Sequence, residues 1–188
     1  MKKGSPAVKY GLIGAFVLVC IGILFQVLAL SYLKKVAAEE IKFSVGRIVL
    51  FSLLSLVLIV LVFVIFIVKS VREYRQQDPD YTYRKLAGQG LIATLLIVVV
   101  STGISYLYGN VIAPESKQKT IELSKQVYQK MDMPDDQKEK MMARFDNPNP
   151  VRDMLTSVGL TLLLGTIISL ISASVLNRRN TINPNQLR

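Results

Sequence analysis

Four long stretches without Asp, Glu, Lys or Arg divide the 188-residue chain, and they constrain its fold more than any other feature. They cover residues 11–33, 48–68, 91–111 and 154–176. Each is as long as the roughly 20 apolar residues that an α-helix needs to cross a bilayer. Because hydrocarbon offers no water to the backbone N–H and C=O groups, each run must be a helix. The sequence therefore predicts a single all-α membrane domain, residues 1–188, with four transmembrane helices.

The first run also has to be weighed against a cleaved signal peptide, since Lys2 and Lys3 precede it. A signal peptide has an apolar core of only about 7 to 15 residues. The run at 11–33 is longer than that, so we expect it to be retained as a helix.

Basic residues predict the orientation of these helices. Residues 1–10, 69–90 and 177–188 together carry 11 basic and 3 acidic residues, whereas 34–47 and 112–153 together carry 12 basic and 10 acidic residues. Short loops rich in Lys and Arg stay in the cytoplasm. We therefore expect both termini and loop 69–90 to be cytoplasmic, and loop 112–153 to be extracytoplasmic. The formal net charge of +10 then reflects membrane topology, and we expect no nucleic-acid partner.

The loop at 112–153 has helical patterns of its own. "ESKQKTIELSKQVYQKM" places Leu123, Val127 and Met131 on one helical side, and "MPDDQKEKMMARF" has Pro134 near its start, followed by two acidic residues, as helices often do. We expect a small extracytoplasmic helical hairpin between the third and fourth transmembrane helices, lying over their outer ends.

Small residues recur at helical spacing inside three of the runs. Such stripes let helices approach closely, and one amide or hydroxyl can form a hydrogen bond across the contact. The stretch "STGISYLYGN" and the fourth run share a four-residue period, so we expect these two helices to pack together. The predicted helix-packing residues are Gly11, Ala15, Gly22, Gln26, Ser101, Ser105, Gly109, Thr161, Gly165, Ser169 and Ala173.

The same polar residues allow a second interpretation. Small and hydroxylated side chains can also line a cavity within the membrane. In that case Gln26, Ser101 and Ser105 would contact a neutral substrate or lipid.

Tyrosines lie near both ends of the third run, and two basic residues precede it. Tyrosine, arginine and lysine are typical of the membrane–water interface, where they meet lipid headgroups. The predicted interfacial residues are Tyr81, Tyr83, Arg84, Lys85, Tyr106 and Tyr108.

Residues with catalytic or metal-binding chemistry are scarce. The chain has no histidine, which is the commonest general base and metal ligand. No ionisable carboxylate or cation lies within a run, although proton-coupled transport usually needs one. We therefore expect no enzyme activity, no cofactor and no metal site.

Two quoted segments give the chain a family resemblance. "KYGLIGAFVLV" opens the first run, and "YTYRKLAGQGLIATLLIVVVSTGISYLYGNVIAP" leads into and through the third. With the polar loop and the last Gly/Ser-containing run, they resemble a family of small membrane proteins, chiefly of Bacteroidota, catalogued as domain of unknown function 4199. The resemblance implies four spans and an inner-membrane location, and it supplies no activity and no functional residues.

These features favour a non-enzymatic inner-membrane protein that contacts lipids and other integral membrane proteins. We expect an accessory or scaffold subunit of a larger envelope complex for protein translocation, secretion or envelope biogenesis. The alternative is a small transporter or lipid-handling protein that uses a neutral polar surface between helices.

Overall fold

The computed structural model describes residues 4–78, 80–130, 134–146 and 150–178, and every regular element within them is helical. The third long helix continues directly into a π-helical turn, Tyr108–Ile112. The other elements are α1 (Pro6–Ala37), α2 (Val45–Gln77), α3 (Tyr83–Leu107), α4 (Pro114–Lys130), α5 (Asp135–Asp146) and α6 (Pro150–Arg178).

Four of the helical segments are long and apolar enough to cross a membrane: Pro6–Ala37, Gly46–Gln77, Tyr83–Ile112 and Met154–Asn177. They contain the four predicted runs and extend beyond most of their ends. The prediction of an all-α, multi-pass membrane protein is therefore confirmed.

The bundle has two different ends. The basic end holds the start of α1, the connection between α2 and α3, and the end of α6. The hairpin end holds the connection between α1 and α2, together with α4 and α5. Helices α1 and α3 run from the basic end to the hairpin end, and α2 and α6 run back.

Helix α3 lies at the centre of this arrangement. It packs against α1, α2 and α6, whereas α1 and α6 make no contact with each other in the part of the chain that the structure describes. In the most apolar window of each helix, 28% of residues are buried in α3 but only 11% in α2. By this measure α2 is the most exposed of the four spans.

Most buried side chains lie in the half of the bundle nearer the basic end. Phe63 and Ile67 of α2, Leu86 and Ile97 of α3, and Ala173 of α6 have no exposed surface. They form one cluster with several neighbours from the same three helices. The hairpin half of each long helix is mainly half-buried or exposed. Close packing is therefore concentrated at the basic end.

The predicted helices of loop 112–153 are present as α4 and α5, but their position differs from the expectation. Helix α4 contacts α1 and the π-helical turn, and neither α4 nor α5 contacts α6 among the described residues. The π-helical turn sets the direction in which α4 leaves α3. The N–H of Ala113 donates to the carbonyl of Tyr108, and Lys117 donates to the side chain of Asn110. Val127 of α4, which is 3% exposed, therefore faces the bundle on the α1 side.

The packing at the basic end predicts different outcomes for two glycines of α6. A Cβ on Gly165 would overlap Thr94 and lie 2.9 Å from the ring of Phe63, whereas a Cβ on Gly159 would meet no atom within 4 Å. We expect Gly165→Val to lower the free energy of unfolding by about 1–3 kcal/mol through overpacking. Gly159→Val should change it by less than about 0.5 kcal/mol.

Unfolding by SDS in mixed dodecyl maltoside micelles, followed by the near-UV circular dichroism of the tyrosines, measures both changes. Equal losses in the two variants would contradict the close contact between α3 and α6.

Candidate functional site

A very close helix contact joins α3 to α6. A Cβ placed on Gly90 would lie 2.8 Å from the Cβ of Ser169, closer than side chains approach in practice. One turn further along α3, Thr94 lies against Gly165. The absence of a side chain at these two glycines therefore lets the two backbones meet, which gains dispersion contacts in the membrane.

Two buried hydroxyl groups form hydrogen bonds within this contact. The Thr94 hydroxyl donates to the carbonyl of Gly165 at 3.2 Å and lies 3.0 Å from the Ser169 hydroxyl, which donates to the same carbonyl at 2.7 Å. Thr94 is 1% exposed and Ser169 is fully buried. An interhelical hydrogen bond in a membrane contributes only about 0.6 kcal/mol. The close backbone approach consequently stabilises the pair more than these bonds do.

A similar contact joins α3 to α1. A Cβ on Gly11 would lie 2.8 Å from the Cβ of Leu96, and one on Gly14 would lie 3.0 Å from the Cδ1 of Ile97. Ala7 and Ala15, on the same side of α1, are fully buried. Helix α3 is therefore held between two stripes of small residues.

The structure distributes the predicted packing residues unevenly. Gly11, Ala15, Gly165, Ser169 and Ala173 are buried between helices. The remaining predicted packing residues lie nearer the hairpin end: Gln26, Ser101, Gly109 and Thr161 are half-buried, and Gly22 and Ser105 are exposed.

On α3 the contact with α6 thus lies earlier than the sequence interpretation placed it. Gly90 and Thr94 face α6, whereas the Ser101 hydroxyl donates to the carbonyl of Val98 in its own helix. A Cβ on Gly109 would meet no neighbouring atom within 4 Å. The reason is that α6 packs most tightly near the basic end, two or more turns before Ser105.

A carboxylate joins α1 to α2 at the basic end. The ammonium group of Lys9 lies 3.1 Å from Oε2 of Glu73, and the Tyr10 hydroxyl donates to the same oxygen at 2.7 Å. Gln77, one turn further along α2, donates to the other carboxylate oxygen at 3.4 Å. Two neighbouring residues of α1 therefore share one partner on α2.

A second carboxylate joins α2 to α3. Lys85 donates to Asp78 at 2.9 Å, and the Tyr74 hydroxyl donates to the same carboxylate oxygen at 3.0 Å. The other oxygen accepts the backbone N–H of Asp80, so the carboxylate also shapes the turn. The hydrogen bonds from Lys85 and Tyr74 hold the pKa of Asp78 below its usual range.

The predicted interfacial residues lie at both ends of α3. At the basic end, Tyr83, Arg84 and Lys85 are exposed, while Tyr81 is half-buried with its ring 5.3 Å from the guanidinium of Arg75. At the hairpin end, the exposed ring of Tyr106 and the half-buried ring of Tyr108 flank the start of the π-helical turn.

An apolar cavity of about 560 Å³ lies at the hairpin end between α1, α2 and α4. Five of its fourteen lining residues are aromatic, three are serines and none is charged. The volume falls within the roughly 300–1,000 Å³ that is typical of small-molecule sites. An uncharged, largely apolar lining of this kind favours a hydrocarbon ligand over a charged one. The lining residues include Phe25, Ala29, Tyr32, Phe51, Ser55 and Tyr128.

Neither interpretation of the sequence placed a cavity here. Of the residues expected to line a polar site, Gln26, Ser101 and Ser105, none lines this cavity. Among the described residues, no group of three or more His, Cys, Asp or Glu side chains is arranged to hold a metal ion.

The fold and these contacts define an all-α membrane protein with four candidate spans. The model of the family described as "Protein of unknown function (DUF4199)" matches residues 9–178. The chain therefore belongs to this family, which confirms the resemblance seen in the sequence. No curated protein and no solved structure matches the chain.

The sequence interpretation missed the roles of Glu73 and Asp78. They are two of only three acidic residues within 69–90, a segment with five basic ones. Acidic residues that stand alone among basic ones beside the apolar runs indicate ion pairs, and the partners here are Lys9 and Lys85. The spacing of Ala87, Gly90 and Thr94, at i, i+3 and i+7, was likewise a visible small-residue stripe on one helical face.

The lowered pKa of Asp78 predicts an acid-dependent loss of stability. A carboxylate whose pKa is lower in the folded protein stabilises the fold above its unfolded pKa of about 3.9. This stabilisation is lost as the pH falls through the folded value. We expect Asp78→Asn to be less stable than the wild type near neutral pH and to lose less stability on acidification.

The SDS-unfolding midpoint, measured from about pH 6 to about pH 3, tests this expectation across the ordinary titration range of Asp. The matched control is Asp80→Asn, at an exposed neighbour that contacts Asp78 through its backbone N–H; near neutral pH it should be more stable than Asp78→Asn. Identical pH profiles for Asp78→Asn and the wild type would contradict a stabilising role for this carboxylate.

Proposed function

We propose that this protein is a non-enzymatic bacterial inner-membrane protein with both termini in the cytoplasm. It serves as an accessory or scaffold subunit of a larger envelope complex, for protein translocation, secretion or envelope biogenesis. Its partners are lipids and other integral membrane proteins, and the hairpin formed by α4 and α5 lies outside the cytoplasm. The excess of basic residues at the basic end supports this orientation.

The observation that carries the proposal is the difference in side-chain burial between the two parts of α2. Its part near the basic end contributes Phe63, Ile67 and Val71 to the core, whereas its part near the hairpin end exposes one bulky apolar side chain after another. Leu50, Leu53 and Leu54, for example, are 67%, 54% and 50% exposed. A firmly packed anchor with a long apolar face suits a subunit that attaches to another membrane protein.

The use of polar side chains also supports a structural role. The buried hydroxyls of Thr94 and Ser169 join α3 to α6, and the carboxylates of Glu73 and Asp78 join α2 to its neighbours. These groups bind other parts of the same chain and act in assembly of the bundle.

Site-specific photocrosslinking tests the subunit proposal. We expect p-benzoylphenylalanine at Leu54 of α2 to give a discrete adduct with another membrane protein in native membranes. The control is Leu95 of α3, which is similarly exposed at 54% and lies on a different helix. The same adduct from both positions, or no protein adduct from Leu54 together with solitary behaviour in mild detergent, would contradict the proposal.

The apolar cavity at the hairpin end favours a second candidate, lipid handling. Its size and uncharged lining suit an acyl chain. Ala29 lines the cavity, so Ala29→Phe should partly fill it and reduce lipid transfer between reconstituted vesicles several-fold. Ser105→Leu is the matched control, because Ser105 is exposed and lies outside the cavity. Wild-type transfer by Ala29→Phe, or no transfer by the wild type, would exclude this candidate.

A further inference from the structure

A second cavity, a groove of about 700 Å³, lies between α2 and α6 near the basic end. It combines apolar walls with two arginines, and none of its ten lining residues is acidic. The lining residues that matter here are Val64, Val68, Arg72 and Arg75 of α2 and Ile168 and Ile171 of α6.

The spacing of the α2 residues places the apolar and the basic parts of the groove lining at different depths in the membrane. Val64, Val68 and Arg72 follow one another at four-residue intervals on one helical face, and Arg75 lies one turn beyond. The lining residues of α2 run from 64 to 76, a length of about 18 Å. One leaflet contributes about 15 Å of hydrocarbon. The valines therefore lie at the depth of acyl chains, and the arginines at the depth of headgroups.

The charged side chains among the lining residues of the groove are all basic. Glu73, next to Arg72 in sequence, binds Lys9 and Tyr10 of α1 on another face of α2. Arg75 lies over the ring of Tyr81 at 5.3 Å. Stacking on an aromatic ring holds the plane of a guanidinium in place, and the planar fork of a guanidinium matches the geometry of a phosphate.

We propose that this groove binds one anionic phospholipid. The phosphate of the lipid binds Arg72 and Arg75, and one acyl chain lies between Val68 and Ile171. Charge complementarity selects this occupant: the phosphate of an anionic lipid supplies the negative charge that two arginines at headgroup depth attract, whereas an apolar helix of a partner or of a second copy supplies none. The site is independent of the proposed subunit function, because it lies at the other end of the bundle from the exposed face of α2.

Fluorescence quenching provides the test, since the chain has no tryptophan. Ile171→Trp places a single fluorophore at the groove, and Leu163→Trp places one on the same helix about 12 Å away. Leu163 is 61% exposed and does not line the groove. Each full-length variant is reconstituted with brominated phosphatidylglycerol or with brominated phosphatidylcholine of the same chain length.

We expect the fluorophore of Ile171→Trp to prefer phosphatidylglycerol over phosphatidylcholine by about fivefold for each arginine. The fluorophore of Leu163→Trp should show no preference. In the Ile171→Trp background, Arg72→Gln should lower the preference about fivefold, and Arg72→Lys, which keeps the charge, should retain most of it. Arg84→Gln, at an exposed arginine outside the groove, should leave it unchanged.

Three results would overturn the assignment. One is equal quenching of Ile171→Trp by the two lipids. Another is the same loss of preference in Arg72→Gln and Arg84→Gln, which would indicate only a general surface potential. The third is quenching of Leu163→Trp without quenching of Ile171→Trp by either lipid, which would assign the groove to a protein occupant. Circular dichroism and gel filtration verify that each variant is folded.

Discussion

The close approach of α3 to its neighbours is the contact on which the rest of the structure depends. In a membrane, burial of apolar side chains gives little driving force between helices, because lipid tails are equally apolar. Dispersion contacts have to supply it, and they require backbones that come near each other. Gly11 against Leu96, and Gly90 against Ser169, meet this requirement on opposite sides of α3. A single helix thereby holds α1 and α6, which do not contact each other among the described residues.

Electrostatic contacts reinforce the same end of the bundle. Glu73 and Asp78 lie beyond the apolar part of α2, where water and headgroups lower the cost of charge, and they pair with Lys9 of α1 and Lys85 of α3. Such partly exposed pairs contribute little individually. Their effect is to fix which helices are neighbours. The hairpin end has fewer buried side chains and contains the apolar cavity beside α4.

The number and type of the long helices could be predicted from the sequence because bilayer thickness and backbone hydrogen bonding leave few alternatives. The packing face of α6 was also visible, since Gly165, Ser169 and Ala173 share a four-residue period. The partner stripe on α3 was harder to place. Ser101, Ser105 and Gly109 are spaced four residues apart, and so are Gly90 and Thr94. Periodicity alone does not say at which depth in the membrane two helices meet. The path of α4 toward α1 depends on the π-helical turn at Tyr108–Ile112, which no local sequence rule specifies.

A double-mutant cycle between Gly90 and Ser169 tests the central contact most directly. Gly90→Ala adds a Cβ where Ser169 leaves no room, and Ser169→Gly removes the atom that it would meet. If the two backbones touch as described, Ser169→Gly should rescue Gly90→Ala, with a favourable coupling free energy of about 1–2 kcal/mol in the range found for contacting residues. If the two changes instead add to within about 0.5 kcal/mol, α3 and α6 do not meet at this point and the account of the bundle is wrong.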